Sequence, residues 1–120
     1  MNIEDIRNYC LLKKGSSEDF PFDDVTLVFK VMGKMFALAS LDGDLSINLK
    51  CNPEKAIELR ASYPSVIPGY HMNKKHWNSV IIDGSVNDRL IMEWIDHSYA
   101  LVVNSLTKKQ KEELDNLEMY

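Results

Sequence analysis

The chain has 120 residues, 45% hydrophobic and 27% charged, the size and make-up of one compact domain with enough apolar material for its own core. With 18 acidic against 14 basic side chains the net charge is −4, which excludes generic affinity for a polyanion unless a local patch supplies the cations. The two cysteines, Cys10 and Cys51, stand in no CxxC pair, no secretory apolar segment opens the chain, and no apolar run approaches the roughly 20 residues of a membrane span. A cytoplasmic protein with two small, reduced, buried thiols and no membrane contact is expected.

In chain order, Asn2 is placed to cap a first helix whose stripe is Ile3, Ile6, Cys10 and Leu11, with Lys13 and Lys14 near its end and Gly15 to stop it. GSSEDFPFDD (15–24) reads as a solvated acidic loop broken by Pro21; its carboxylates lack the spacing of a calcium loop. VTLVFKV (25–31), KMFALAS (34–40) and LSINLK (45–50) read as a three-stranded meander, turned by Gly33 and by Asp42-Gly43-Asp44. In the last strand Leu45, Ile47 and Leu49 alternate with Ser46, Asn48 and Lys50, so the meander is expected to have one wet face.

Asn52 then caps, and Pro53 begins, a helix that buries Ala56, Leu59 and Tyr63 and ends at Pro64. VIPGYHM and HWNSVII read as two more strands joined by Asn73-Lys74-Lys75. Ser85, with Asp88 three residues on, is placed to cap a long helix with Leu90, Ile91, Trp94, Ile95, Ser98, Leu101 and Val102 on its apolar side and Arg89, Glu93, Asp96, Ala100 and Asn104 on its wet side. Thr107 and Gln110 form a capping box for a charged tail helix, with the apolar content of a frayed end or a partner surface. The order predicts an α+β, two-layer fold, an antiparallel sheet with helices on one face, α-β3-α-β2-α, as one domain over 1–106 with a charged C-terminal tail helix over 107–120.

One stretch stands apart, GYHMNKKHWNSV (69–80). His71, His76 and His97 show no metal-ligand spacing, and a histidine on the edge of an apolar helix side is more often held by a hydrogen bond, so no metal is expected. There is no GxSxG, HExxH or glycine-rich phosphate loop; Ser98 beside His97 points elsewhere on a helix, and a His76–Asp96 acid–base pair rests on no spacing. No catalytic residue and no cofactor is assigned. What remains is a nucleic-acid contact through His71, Asn73, Lys74, Lys75, His76, Trp77 and Asn78, with Lys34, Lys50 and Arg60 as extensions, set against a purely structural turn with Tyr70 and Trp77 in the core.

GYHMNKKHWNSV, with IDHSYALVV (95–103), VFKVMGKMFALASL (28–41), SINLKCNPEKAIELR (46–60) and YPSVIPGY (63–70), resembles the MmcQ/YjbR-like family of small bacterial proteins over roughly residues 1–106. The resemblance implies a secretion-chaperone-like fold and a predicted DNA-binding role with a double-wing arrangement, carried here by Lys74, Lys75, His76, Trp77 and Asn78. The acidic balance of this chain departs from that role. Two further analogies follow from the shape. Type III secretion chaperones are acidic, dimeric and bind extended peptides, which suits the pI near 5.3; frataxin-like proteins bind iron through an acidic first helix, which here has only Glu4 and Asp5. The expectation is a non-enzymatic binding protein, with DNA as ligand or, alternatively, a peptide or protein partner, as a monomer or homodimer.

Overall fold

The computed structural model describes residues 1–69 and 72–117. Its elements are α1 (Ile3–Leu11), β1 (Ser16–Asp19), β2 (Thr26–Val31), β3 (Lys34–Ser40), β4 (Ser46–Lys50), α2 (Pro53–Ser62), β5 (Val66–Pro68), β6 (Trp77–Ile81), α3 (Asp88–Asn104) and α4 (Lys108–Asp115). The strands form one antiparallel sheet in the order β1-β2-β3-β4-β6-β5. The α+β layering is as the sequence predicts, with one strand more.

That extra strand is Ser16–Asp19, which the sequence presents as loop. It pairs with β2 in the register Ser16↔Val31 to Asp19↔Val28 and alternates half-buried with exposed residues. An edge strand with a solvated face needs no apolar alternation, and the open edge of β2 supplies the hydrogen bonds that SSED would not attract by propensity. The next turn needs only two residues, Met32 and Gly33, with φ 51 and 81, between the paired Val31 and Lys34. Positive φ at both centres suits the right-handed twist of a hairpin.

The core lies between the sheet and the helices. Leu27, Phe29 and Val31 of β2, Ala37 and Ala39 of β3, Ile47 and Leu49 of β4 and Val80 of β6 meet Ile6 and Cys10 of α1 and Ile91, Trp94, Ile95 and Val102 of α3. Ser98, fully buried in α3, donates to the Phe36 carbonyl (2.5 Å) and accepts from the Lys50 amide (2.9 Å), so it sews the helix to two strands and is no nucleophile. Asp96, on the wet side as expected with its side chain 46% exposed, accepts hydrogen bonds there from the Tyr9 hydroxyl and the Lys13 ammonium, tying α3 to the end of α1.

Two further expectations are corrected. Asn87, not Ser85, caps α3: its side chain accepts from Arg89 N (2.7 Å), while Ser85 N donates to Asp83 Oδ1 (2.9 Å) in the preceding turn. Three turn-forming residues, Asp83, Ser85 and Asn87, compete for the cap, and spacing alone does not rank them. The sheet's far face is not uniformly wet either: Val28, Leu38 and Trp77 form a second buried cluster there, with Met35 and Met72 against it. The capping box of α4 forms as predicted, and this helix is held down by Leu114, which is 5% exposed and belongs to the main core.

Candidate nucleic-acid interface

The turn before β6 is built by Asn73. Its carbonyl accepts from His76 N (3.1 Å) and Trp77 N (2.9 Å), and its side-chain oxygen accepts from Lys75 N (2.9 Å). Cys51 N donates to the His76 carbonyl at 2.7 Å, which fixes the turn to the end of β4. Lys74 and Lys75 project from this braced turn; both are exposed, and their ammonium groups form no hydrogen bond or ion pair among the described residues. His71, and Tyr70 before it, lie outside the described residues.

The rest of the predicted set is differently placed. Trp77 is 8% exposed and packs on the outer sheet face against Val28 and Leu38, so its indole does not present a face to a base. Asn78 is 2% exposed, points toward the helices, and donates through Nδ2 to the Ala56 carbonyl (3.3 Å). Asn73 spends its side-chain acceptor on the turn, and His76 is half-buried with its carbonyl engaged. Of the described residues in the set, the two lysines are the exposed cations that can meet a phosphate.

Strand direction decides what surrounds them. Lys34 opens β3 and Lys50 closes β4, and Lys50 pairs with Trp77 at the start of β6. In an antiparallel sheet all three positions lie at the same end, with neighbouring strands about 4.8 Å apart. Lys13 and Lys14, just before β1, reach that end, and Lys34 Nζ donates to the Ser105 carbonyl at 3.2 Å, which brings the first turn of α4, with Lys108, Lys109 and Lys111, beside it. The later α4 residues Glu112, Glu113 and Asp115 equal those three in number, so α4 adds no net positive charge and only its first turn is basic. At the opposite end stand Asp23 and Asp24 before β2, Asp42 and Asp44 between β3 and β4, Asp83 after β6, and Asp88 at the start of α3. Arg60, near the end of α2, and Arg89 lie toward that acidic end, so Arg60 does not join the lysines.

These lysine and aspartate positions were each visible in the sequence; their separation was not. The signal was the sign of the charge at successive turns of the meander, Lys30 and Lys34 around one and Asp42 and Asp44 around the next. A meander sends alternate turns to opposite ends, so alternating signs become a separated charge.

His71 lies outside the described residues, and Asp96 is engaged by Tyr9 and Lys13 rather than by His76. His97 Nε2 accepts from Asn52 N (3.3 Å), so it sits against the cap of α2, whereas Asp96 faces α1. Burial, and then the charge of Lys55, hold His97 below the ordinary imidazole pKa, while burial pushes the Cys51 thiol up. Both line a cavity of about 10 Å³ with Asn78, Val80 and Trp94, room for one water and no substrate. Uncharged at neutral pH, this thiol and imidazole do not form the ion pair of a reactive cysteine. Cys10 is further from reactivity, its thiol pushed up to about 12 by burial. Among the described residues, no group of three histidine, cysteine, aspartate or glutamate side chains is placed to hold a metal ion. No helix among them is long and apolar enough to cross a membrane.

Comparison with known proteins agrees with this architecture. The YjbR family model matches residues 11–101. The uncharacterized protein YbdF of Escherichia coli O157:H7 is 44% identical over 93 residues, 77% of this chain and 76% of that one. The uncharacterized protein YjbR of Escherichia coli K12 is 33% identical over 118 residues, 98% of this chain and 100% of that one. The crystal structure of Deinococcus radiodurans protein DR2400, with a DUF419 domain, superposes with a TM-score of 0.89 at 43% identity, covering 99% of this chain and 91% of that chain. The chain therefore belongs to the YjbR family.

Proposed function

We propose that this protein is a non-enzymatic binding domain that holds DNA by its phosphates through the basic end of the sheet. Lys74 and Lys75 make the central contacts, Lys50 and Lys34 flank them, and Asn73 and His76 brace the turn rather than touch the ligand. The observation that carries the reading is the segregation of charge along the strands, with Lys34, Lys50, Lys74 and Lys75 at one end of the sheet and Asp23, Asp24, Asp42, Asp44 and Asp83 at the other. A net charge of −4 then opposes binding only at a distance, and at the roughly 8 Å screening length of physiological salt the near patch governs. With the indole and Asn78 buried, binding of this kind reads no bases and has little sequence preference. The two unpaired, buried cysteines support a reducing, cytoplasmic setting.

The test is titration of a duplex at several salt concentrations with the wild-type chain and with Lys74→Glu/Lys75→Glu. Loss of two phosphate contacts lowers the slope of log affinity against log salt by roughly 1.8. Trp77→Phe, which keeps the packing and removes the indole, leaves that slope unchanged. Absence of binding at low salt, or a double variant that binds like the wild type, overturns the reading. A second reading, a peptide-binding module, is favoured by a different observation, the cleft on the outer sheet face at the acidic end.

A further inference from the structure

The outer face of the sheet carries Thr26 of β2, Leu38 and Ser40 of β3, and Ser46 and Asn48 of β4. The loop before β2 and the loop between β3 and β4 flank its acidic end. Together they enclose a cleft of about 720 Å³, within the roughly 300–1,000 Å³ of binding sites. Leu38 and Met72 supply apolar lining, and Phe22, Asp23, Asp42 and Asp44 come from the loops. No lysine or arginine lines it.

Two features of these groups point to a ligand. Asp23 accepts from Val25 N (3.0 Å), Thr26 N (2.7 Å) and the Thr26 hydroxyl (3.2 Å), bonds that hold its carboxyl below the usual range and keep it charged. Asp42 and Asp44 are exposed and form no hydrogen bond or ion pair among the described residues, so their charge is free for a partner. Beside them Phe22 is 64% exposed. Large apolar groups left in water next to unpaired carboxylates suit a ligand that is both oily and cationic, since an ammonium or guanidinium group is attracted to an aromatic face as well as to a carboxylate.

We propose that this cleft binds an extended polypeptide segment that alternates arginine with apolar side chains. Arginine fits better than lysine because its planar group stacks on Phe22 while pairing with Asp42 or Asp44 in two-pronged fashion. A chain is favoured over a small amine because the cleft, about 720 Å³ with three carboxylates and with Phe22, Leu38 and Met72 along it, has room for several side chains. The inference rests on the second reading above and is independent of DNA binding.

The probe is a labelled nine-residue peptide of alternating arginine and leucine, titrated into the full chain at physiological salt, beside the same peptide with glutamate for arginine and beside arginine amide alone. Saturable binding of the first, with neither control competing, is the expected result. Asp42→Asn/Asp44→Asn weakens it roughly tenfold, two ion pairs' worth, and Phe22→Ala weakens it further, while Lys74→Glu/Lys75→Glu leaves it unchanged. All these positions are exposed, so folding is kept, and thermal midpoints verify it. No saturation, equal binding of the glutamate peptide, or indifference to the aspartate changes overturns the proposal. Arginine amide binding as tightly as the peptide reassigns the cleft to a small molecule. A dimer in sedimentation that Asp42→Asn/Asp44→Asn dissolves reassigns it to a second copy of the chain. Because the two double variants act on opposite ends of the sheet, failure here leaves the DNA result intact, and the reverse.

Discussion

Trp77 shows what residue identity alone conveys. A tryptophan beside two lysines and two asparagines has the composition of a stacking platform, and the same composition serves a turn that closes over a buried ring. The sequence held both readings open because side-chain direction depends on strand parity, and parity depends on where β6 begins. With Lys50 paired to Trp77, the indole falls on the outer face above Val28 and Leu38, and Asn78, one residue on, falls on the helix side. Gly69 is part of this arrangement for a reason the sequence does not display. Its amide donates to the Trp77 carbonyl (2.9 Å), and a Cβ built there would lie 2.8 Å from the Trp77 Cβ and 3.0 Å from that carbonyl oxygen. Both obstructing groups belong to a paired strand and cannot swing away. Gly69→Ala is therefore expected to destabilise the fold by about 1–3 kcal/mol, the usual cost of overpacking, read as a lower midpoint in urea with an unchanged slope. An alanine variant as stable as the wild type would mean that the edge strand β5 yields.

At the scale of elements, regular patterns were legible and competitive ones were not. The stripe of α1, the proline-started α2 and the alternation in β4 each satisfy one rule with no rival, and each is found where the pattern puts it. β1 is not legible in the sequence because it is an edge whose pairing comes from its neighbour rather than from its own side chains. In the loop after it, Phe22, which lines the outer cleft, is not legible from sequence because the acidic residues around it satisfy the pattern of a solvated turn. The start of α3 is a contest among three turn formers. Since Asn87 caps Arg89 N and Ser85 binds only into the preceding turn, Asn87→Ala is expected to cost about 1 kcal/mol and Ser85→Ala a few tenths. Chemical denaturation of the two variants separates the alternatives, and equal losses would restore a share of the cap to Ser85.

For the whole molecule, the division of the chain at residue 106 is the expectation most open to physical argument. By composition the tail looks dispensable, eight residues of α4 with seven of them charged or amide. Yet Leu114 is 5% exposed, and its Cδ1 lies 2.5 Å from where a Cβ on Gly15 would stand, so the helix is seated over the α1–β1 corner at a position where only glycine leaves room. Lys14 Nζ adds a bond to the Asp115 carbonyl at 2.9 Å, and Leu106, at the start of the connection, is 5% exposed in the same core. One buried leucine with a complementary glycine outweighs several exposed ion pairs, each worth under about 1 kcal/mol. Leu114→Ala is therefore expected to destabilise the entire fold by about 2–4 kcal/mol in a single cooperative transition, with thermal and denaturant midpoints falling together. If α4 were an independent appendage, the same change would leave the main transition unmoved and would only fray the helix, a loss seen in far-ultraviolet dichroism at low temperature and nowhere else. The consequence reaches the basic end of the sheet, because Lys108, Lys109 and Lys111 keep their place beside Lys34 only while Leu114 holds the helix down.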